Sequence, residues 1–312
     1  MGGFIKPPAT GGGGGGDTIT TAATWADLPT TGTEGDRAYL VDAQTLLRWS
    51  DDIDPLDADG RQWVPDAIYS DSSGTGVVAG VVEWLEPIDC AGVGDGQPVA
   101  TWPSRAGTGD YTAAGTARPT FDEDGGADGG AAVVFDGSNN VMAKGLPRTL
   151  VTNRTAYSIL SLNRPASVTG SGFVWLASMA GSSFARYALA RNGATHAVYL
   201  DSGCTNSINV NVPAQPPAAT TWRLIAHHCS SAGYGAVARS PAEQGANTAT
   251  APSGCAGASD YVRLGGWGTA ATPSDPWAGR MGPFLVLAGT GSPTPGAARA
   301  VAAWLSSRAG LI

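Results

Sequence analysis

From residue 131 onward the chain repeats one pattern. Four to eight residues rich in Val, Ile, Leu, Tyr, Phe or Trp are followed by a break of Gly, Asn, Pro or Ser. Such runs occupy 131–135, 156–162, 173–177, 184–190, 197–200, 208–212, 222–228, 234–239, 261–264 and 284–288. Ten short runs at this spacing predict a mainly β chain, with the strands packed as a two-sheet sandwich or jelly roll. A different period appears only at the end. Ala298, Val301, Ala302 and Leu305 recur at helical spacing, with Thr294 and Pro295 suited to the start and Gly310 to the stop. One C-terminal helix is expected there, its apolar face on the sandwich.

The first seventy residues read differently. Short strand-like runs at 38–41, 46–49 and 61–64 predict a small β unit over 21–70. The acidic stretch Asp51, Asp52, Asp54, Asp57, Asp59 between two of them lacks the central glycine and closing Glu of an EF-hand, so it reads as a solvated hairpin loop. Residues 71–83 then read as a hinge, and 84–312 as the sandwich domain. Ahead of all this, residues 1–20 form a leader in which Phe4, Ile5, Pro7 and Pro8 precede six glycines, Gly11 to Gly16. Such a tract loses much backbone entropy on ordering and buries no side chain in return. The leader is therefore expected to be held by an assembly partner, with Phe4, Ile5, Pro7 and Pro8 as the contacts.

Composition narrows the function. Charged residues are 14% of the chain, against about 25% in ordinary soluble domains, while 42% hydrophobic residues suffice for a sizeable core. A net charge of −8 makes nucleic acid a poor partner, because phosphate binding draws on clustered Lys and Arg. No apolar run approaches the roughly 18 residues of a membrane span, and the opening MGGFIKPPAT has neither the apolar region of a secretory signal nor a myristoylation pattern. No membrane insertion is expected.

Catalytic patterns are missing. Cys90, Cys204, Cys229 and Cys255 fall in no metal-ligand spacing; they read as buried small hydrophobes, with a Cys204–Cys229 pair left open. His227 and His228 are adjacent on an expected strand, so they point to opposite faces and cannot share a metal, and His196 has no acidic or Ser neighbour in sequence. No G-x-S-x-G elbow or P-loop occurs. Glycoside hydrolysis needs two spaced carboxylates, yet the Glu residues (Glu34, Glu83, Glu86, Glu123, Glu243) form no ExDxxE run. The cluster Asp122, Glu123, Asp124, Asp128 lies in a Gly-rich stretch and reads as a solvated loop. The chain is expected not to be an enzyme and to carry no cofactor, calcium being the one left open.

Two stretches carry a family likeness. Asp95, Gly96, Val99, Trp102, Ser104 and Gly107, then Arg118, Pro119, Thr120, Phe135, Asp136, Gly137 and Asn140, with the closing YVRLGGWG and AAWLSSRAGLI, resemble concanavalin A-like (laminin G-like) jelly-roll domains. Pro103 and Ser104 stand where that pattern often has an acid after the Trp. Earlier, Trp25, Leu28, Pro29, Gly32, Glu34, Gly35, Asp36, Arg37, Tyr39, Trp49 and Trp63 resemble the virion-proximal part of tailed-bacteriophage fibre and spike proteins. Together these resemblances imply a virion location: the leader docked on other virion proteins, the lectin-like domain exposed to host-surface glycans, and a homo-oligomer, by analogy a trimer. A bacterial surface or secreted carbohydrate-binding protein is the alternative, and a glycan hydrolase the less favoured third reading.

Lectin-like domains hold sugars with exposed aromatics or through calcium in Asp/Asn loops. Trp267, Trp277 and Asp275 are the sugar-binding candidates, and Asp136, Asn139 and Asn140 the calcium candidates. Both sets also have a plain structural reading, the Trp pair as core caps and DGSNN as a hairpin turn.

Overall fold

The computed structural model describes residues 19–33, 35–50, 60–66, 81–106, 109–144, 157–167, 172–179, 186–192, 195–200, 208–212, 222–230, 233–238, 244–247, 259–269, 272–274, 276–288 and 295–311. The leader with Phe4, Ile5, Pro7 and Pro8, the acidic stretch 51–59, Thr294, Cys204 and Cys255 lie outside them.

The chain is mainly β with one C-terminal helix, as its alternation predicts. A small sheet comes first, built from β1 (Ile19–Ala22), β2 (Arg37–Leu40), β3 (Thr45–Trp49) and β4 (Trp63–Pro65) in that order. The sandwich strands follow: β5 (Val81–Leu85), β6 (Thr101–Trp102), β7 (Tyr111–Thr112), β8 (Thr120–Asp122), β9 (Ala132–Asp136), β10 (Met142–Lys144) and β11 (Tyr157–Pro165). The next are β12 (Gly172–Met179), β13 (Arg186–Asn192), β14 (Thr195–Leu200), β15 (Ile208–Val212), β16 (Arg223–Ser230), β17 (Gly233–Ala238) and β18 (Gln244–Asn247). Last come β19 (Ser259–Leu264), the β20–β21 ribbon (Trp267–Thr269, Thr272–Ser274), β22 (Ala278–Ala288) and the helix α1 (Pro295–Arg308). β5 begins at Val81, inside the span read as a hinge.

Two sheets face each other. The front sheet runs β15-β14-β13-β12-β19-β10-β7-β6, and the back sheet runs β18-β17-β16-β11-β22-β9-β8 with β5 also on β22. The eleven residues of β22 hold the back sheet together: Ala278 to Met281 pair with β9, Phe284 to Leu287 with β5, and the other edge with β11. Pro283 has no N–H to give a ladder, and it sits beside the register shift at Ser161/Asn163.

Where β5, β11 and β22 run side by side, both faces of the back sheet are buried. Glu83 of β5 meets Lys144 of the front sheet, so its side is the interior; the alternate residues Trp84, Leu160, Leu162, Leu285 and Leu287 face the other way and join α1 and the small sheet in one apolar cluster. Sheets covered on both faces carry continuous apolar runs rather than strict alternation, as LVL in β22 does. α1 presents the expected Ala298, Val301, Ala302 and Leu305, all buried. Its Trp304 makes edge contacts with Trp84 at 6.2 Å and with Trp25 of the small unit at 6.4 Å. The helix is thus a bolt between the small sheet and the sandwich. Gly310, at φ +59, ends it.

The residues that carried the resemblances hold turns and packing. Gly265 of the LGG run lies so close to Phe135 that a Cβ would come within 2.3 Å of the ring. Gly32 lies flat on Trp49, where a Cβ would come within 2.6 Å. Trp63 donates from Nε1 to Pro29 O at 2.9 Å, and Arg61 donates to Ala26 O at 2.9 Å and Leu28 O at 3.2 Å, fixing the WADLP turn.

Candidate functional site

Three candidates from the sequence find structural roles. Trp277 is 1% exposed and packs on Phe135 at 5.6 Å between ring centroids, so it offers no face on which a sugar could stack. Of its two readings, core cap and binding aromatic, this burial fits the core cap, and its backbone N–H is bonded to Gly265 O. Asp136 Oδ1 accepts from the backbone N–H of Ser138, Asn139 and Asn140 at 2.8, 3.2 and 3.3 Å. Asn140 is buried, accepts from Asp136 N–H at 2.8 Å, and donates to Arg118 O at 2.9 Å and Thr116 O at 3.4 Å. The DGSNN segment is a self-capped turn whose inner oxygens are spent on backbone donors. Trp267 opens the β20–β21 ribbon, paired with Ser274, and Asp275 lies outside the described residues. Among the described residues no three His, Cys, Asp or Glu side chains gather as a metal cluster.

Two charge groups hold the buried carboxylates Glu83 and Glu86 among the described residues. Inside the sandwich, Glu83 is bonded to Lys144 Nζ, Ser104 Oγ (2.7 Å) and Tyr111 OH (3.1 Å). The ion pair is 1% and 0% exposed. Burial pushes the Lys144 ammonium below the ordinary lysine range, against the pull of Glu83 upward. Cys90 is buried beside Thr101 O, and burial raises its thiol to about 12. It is inert at neutral pH.

The second group borders an opening. Where the small unit, the back sheet and α1 meet lies a groove of about 410 Å³. Its depth is lined by Arg308, Glu86 and Arg61. Arg308 donates to Glu86 at 2.9 and 3.2 Å and stacks over Trp304 (4.9 Å) and Trp25 (5.5 Å). Trp84 Nε1 donates to the same carboxylate at 2.9 Å, and Trp102 Nε1 to the Glu86 backbone oxygen at 2.9 Å. Ile88, Leu162, Pro283 and Leu305 make an apolar wall, and the loop at 123–131 makes the lip.

Glycine shapes that lip. Gly126 N–H bonds to Gly130 O at 2.5 Å, and a Cβ at Gly126 would fall within 2.3 Å of the same oxygen. Asp122 leaves the lip to pair with Arg280 at 2.8 Å, while Asp95 Oδ1 accepts from Glu123 N–H at 3.0 Å. Glu123 and Asp124 remain exposed at the mouth. The sequence showed this acidic loop but not the groove, because its other walls come from Trp25, Arg61, Glu86 and Arg308, spread over almost the whole chain.

The groove's size falls in the range of small-molecule sites, roughly 300–1,000 Å³. Its apolar wall and acidic lip suit a ligand with an apolar face and several hydroxyl donors.

No family model matches the chain, and no curated protein does. Solved structures with similar layout include Domain 4 of AbnA, a GH43 extracellular arabinanase from Geobacillus stearothermophilus in complex with arabinotriose (16% identity, TM-score 0.47, covering 71% of this chain and 98% of that one). Another is the Ruminococcus gnavus IT-sialidase CBM40 (17% identity, TM-score 0.37, covering 45% of this chain and 78% of that one). A Trypanosoma rangeli sialidase is similar at 10% identity and TM-score 0.49; the match covers 77% of this chain but only 35% of the sialidase.

Proposed function

We propose that this β-sandwich is a saccharide-binding attachment protein of a tailed-phage virion, binding rather than cleaving its glycan. The junction groove carries the saccharide part: about 410 Å³, one apolar wall, and Glu123 and Asp124 at the mouth as acceptors for sugar hydroxyls. The binding-only part draws on the two buried carboxylates, Glu83 and Glu86, each held by a cation, whereas hydrolysis asks for one proton-bearing and one free carboxylate. The virion part, with its docked leader and trimeric assembly, draws on the fibre-like motif of the small unit. That unit is tied to the sandwich through Trp25–Trp304 and through Ser307 Oγ donating to Asp42 Oδ2 at 2.7 Å, which suits a part that must carry load between particle and ligand.

The test is binding of the full chain to a panel of neutral and acidic bacterial-surface oligosaccharides. The Glu123→Ala/Asp124→Ala variant should bind about tenfold more weakly with an unchanged melting temperature, since exposed substitutions rarely shift stability by more than about 0.5 kcal/mol. Release of reducing ends, or equal binding by the variant, would contradict the reading. Gold labelling of 84–312 on intact particles tests the location, and particles without label would contradict it.

A further inference from the structure

On the outer face of the back sheet, the apolar cluster under the helix and the small unit reaches Leu162 and Ala132. Beyond them the same face carries another row. Along β11, Leu160, Leu162 and Arg164 alternate onto this side. The register sets Arg164 opposite Arg280 of β22, Arg280 opposite Val134 of β9, and Val134 opposite Thr120 of β8. All four are half-buried, so the row is open to solvent. It adjoins the junction groove, whose wall includes Leu162 and Pro283 and whose lip includes Ala131.

The charge in this row is not balanced within the described residues. Arg164 and Arg280 face each other across neighbouring strands, where Cβ atoms lie about 5 Å apart and like charges repel. Arg280 is held: its Nε and Nη2 both donate to Asp122 Oδ2, at 3.0 and 2.8 Å. Arg164 makes no hydrogen bond or ion pair. Other carboxylates lie on this side without pairing to it. Asp136 falls one row further on, opposite Ala278, and spends Oδ1 on the backbone of its own turn. Glu123 and Asp124 stand exposed at the groove mouth. Continuing the β11–β16 register places Trp222 opposite Arg164, and its buried indole N–H has no hydrogen-bond partner either. This end of the sheet keeps a whole guanidinium fork without an acceptor.

We propose that Arg164, backed by Arg280, is an anion subsite that takes the carboxylate of an acidic saccharide seated in the junction groove. It rests on the saccharide reading of the groove and adds the charge of the ligand. A guanidinium matches a planar carboxylate through paired N–H donors, and the fork of Arg164 is unspent. Arg280 lends its charge from a fixed position, since Asp122 holds it. A carboxylate between the two also relieves their mutual repulsion. Leu162 joins subsite to groove: it belongs to the groove wall, and Arg164 stands two residues along the same strand face, roughly 7 Å away. That distance is within the reach of one sugar unit.

Affinity electrophoresis of the full chain tests it, in gels holding polygalacturonate or the same polymer carboxyl-reduced to a neutral galactan. Retention about tenfold stronger by polygalacturonate is expected, falling toward that of the neutral polymer as salt shortens the screening length to about 10 Å at 0.1 M. Arg164→Gln should lower retention by polygalacturonate about tenfold and leave retention by the neutral polymer unchanged. Its melting temperature should be equal or higher, because a like-charge contact is removed. Arg164→Lys, which keeps the charge but loses the planar fork, should give a smaller loss. Glu123→Ala/Asp124→Ala should weaken retention by the neutral polymer, which reports on the groove alone. No change there would contradict the groove reading, while a loss with Arg164→Gln would still support the subsite. Equal retention by the two polymers, no retention by polygalacturonate, or full polygalacturonate retention by Arg164→Gln would overturn the inference.

Discussion

The sandwich is built from two eight-stranded sheets, and the outer face of the back sheet differs in chemistry from the described end of the front sheet's outer face. The back sheet's outer face carries Trp84, Leu160, Leu162, Leu285 and Leu287, and is covered by α1 and the small unit. The described outward positions at the front sheet's β6, β7 and β10 end are Thr101, Thr112 and Ala143, which remain exposed or half-buried. The interior between the sheets does not distinguish them. What differs is the residue class on the alternate positions, and that decides which face is architecture and which is surface.

If the back face is architecture, truncation there must be costly. Trp304→Ala removes the ring that touches both Trp25 and Trp84 and should lower stability by about 4–5 kcal/mol, read by denaturant unfolding. The interior pair comes next. Lys144→Met removes the cation from buried Glu83, leaving only the Ser104 and Tyr111 donors, and should cost about 3–4 kcal/mol, while adding Glu83→Leu should recover most of that loss. Arg308→Ala, which removes a cation from Glu86 at the groove floor but leaves the Trp84 donor, should cost about 2–3 kcal/mol. On the front face Thr112→Ala should change stability by less than about 0.5 kcal/mol, and a larger loss would show that face to be covered.

The smallest expected effect is a pH dependence. Cys90 keeps its proton in the fold up to about 12, while in the unfolded chain it ionises near 9.0. Its contribution is therefore fully present below about 9 and is lost as pH rises toward 12. Comparing Cys90→Ala with the parent chain across that window should show the parent losing relative stability, and Cys90 should resist thiol reagents at neutral pH until the fold opens.

Much of this was legible in the sequence. All ten strand runs beyond residue 131 recur as strands, because short runs rich in apolar and β-branched residues between turn formers favour extended backbone. β6 and β7, of two residues each, were not legible, since only their partners across the sheet make them strands. β5 was hidden by the glycines before it. Trp277 had two readings in the sequence, core cap or binding aromatic, because a Trp in a loop of Gly, Pro and Asp looks exposed; its contact with Phe135, 142 positions away, is not visible locally. Glu83 and Lys144 are 61 residues apart, and nothing local marks them as partners. Glu123 and Asp124 were visible as an acidic loop, but the wall opposite them, from Trp25, Arg61 and Arg308, exists only after folding.

Hydrogen–deuterium exchange of the full chain, alone and with the tightest-binding oligosaccharide of the panel, tests the saccharide reading most directly. The account predicts slowed exchange at the groove lip, residues 123–131, and beside Ile88. An oligosaccharide that binds without protecting either segment would contradict it.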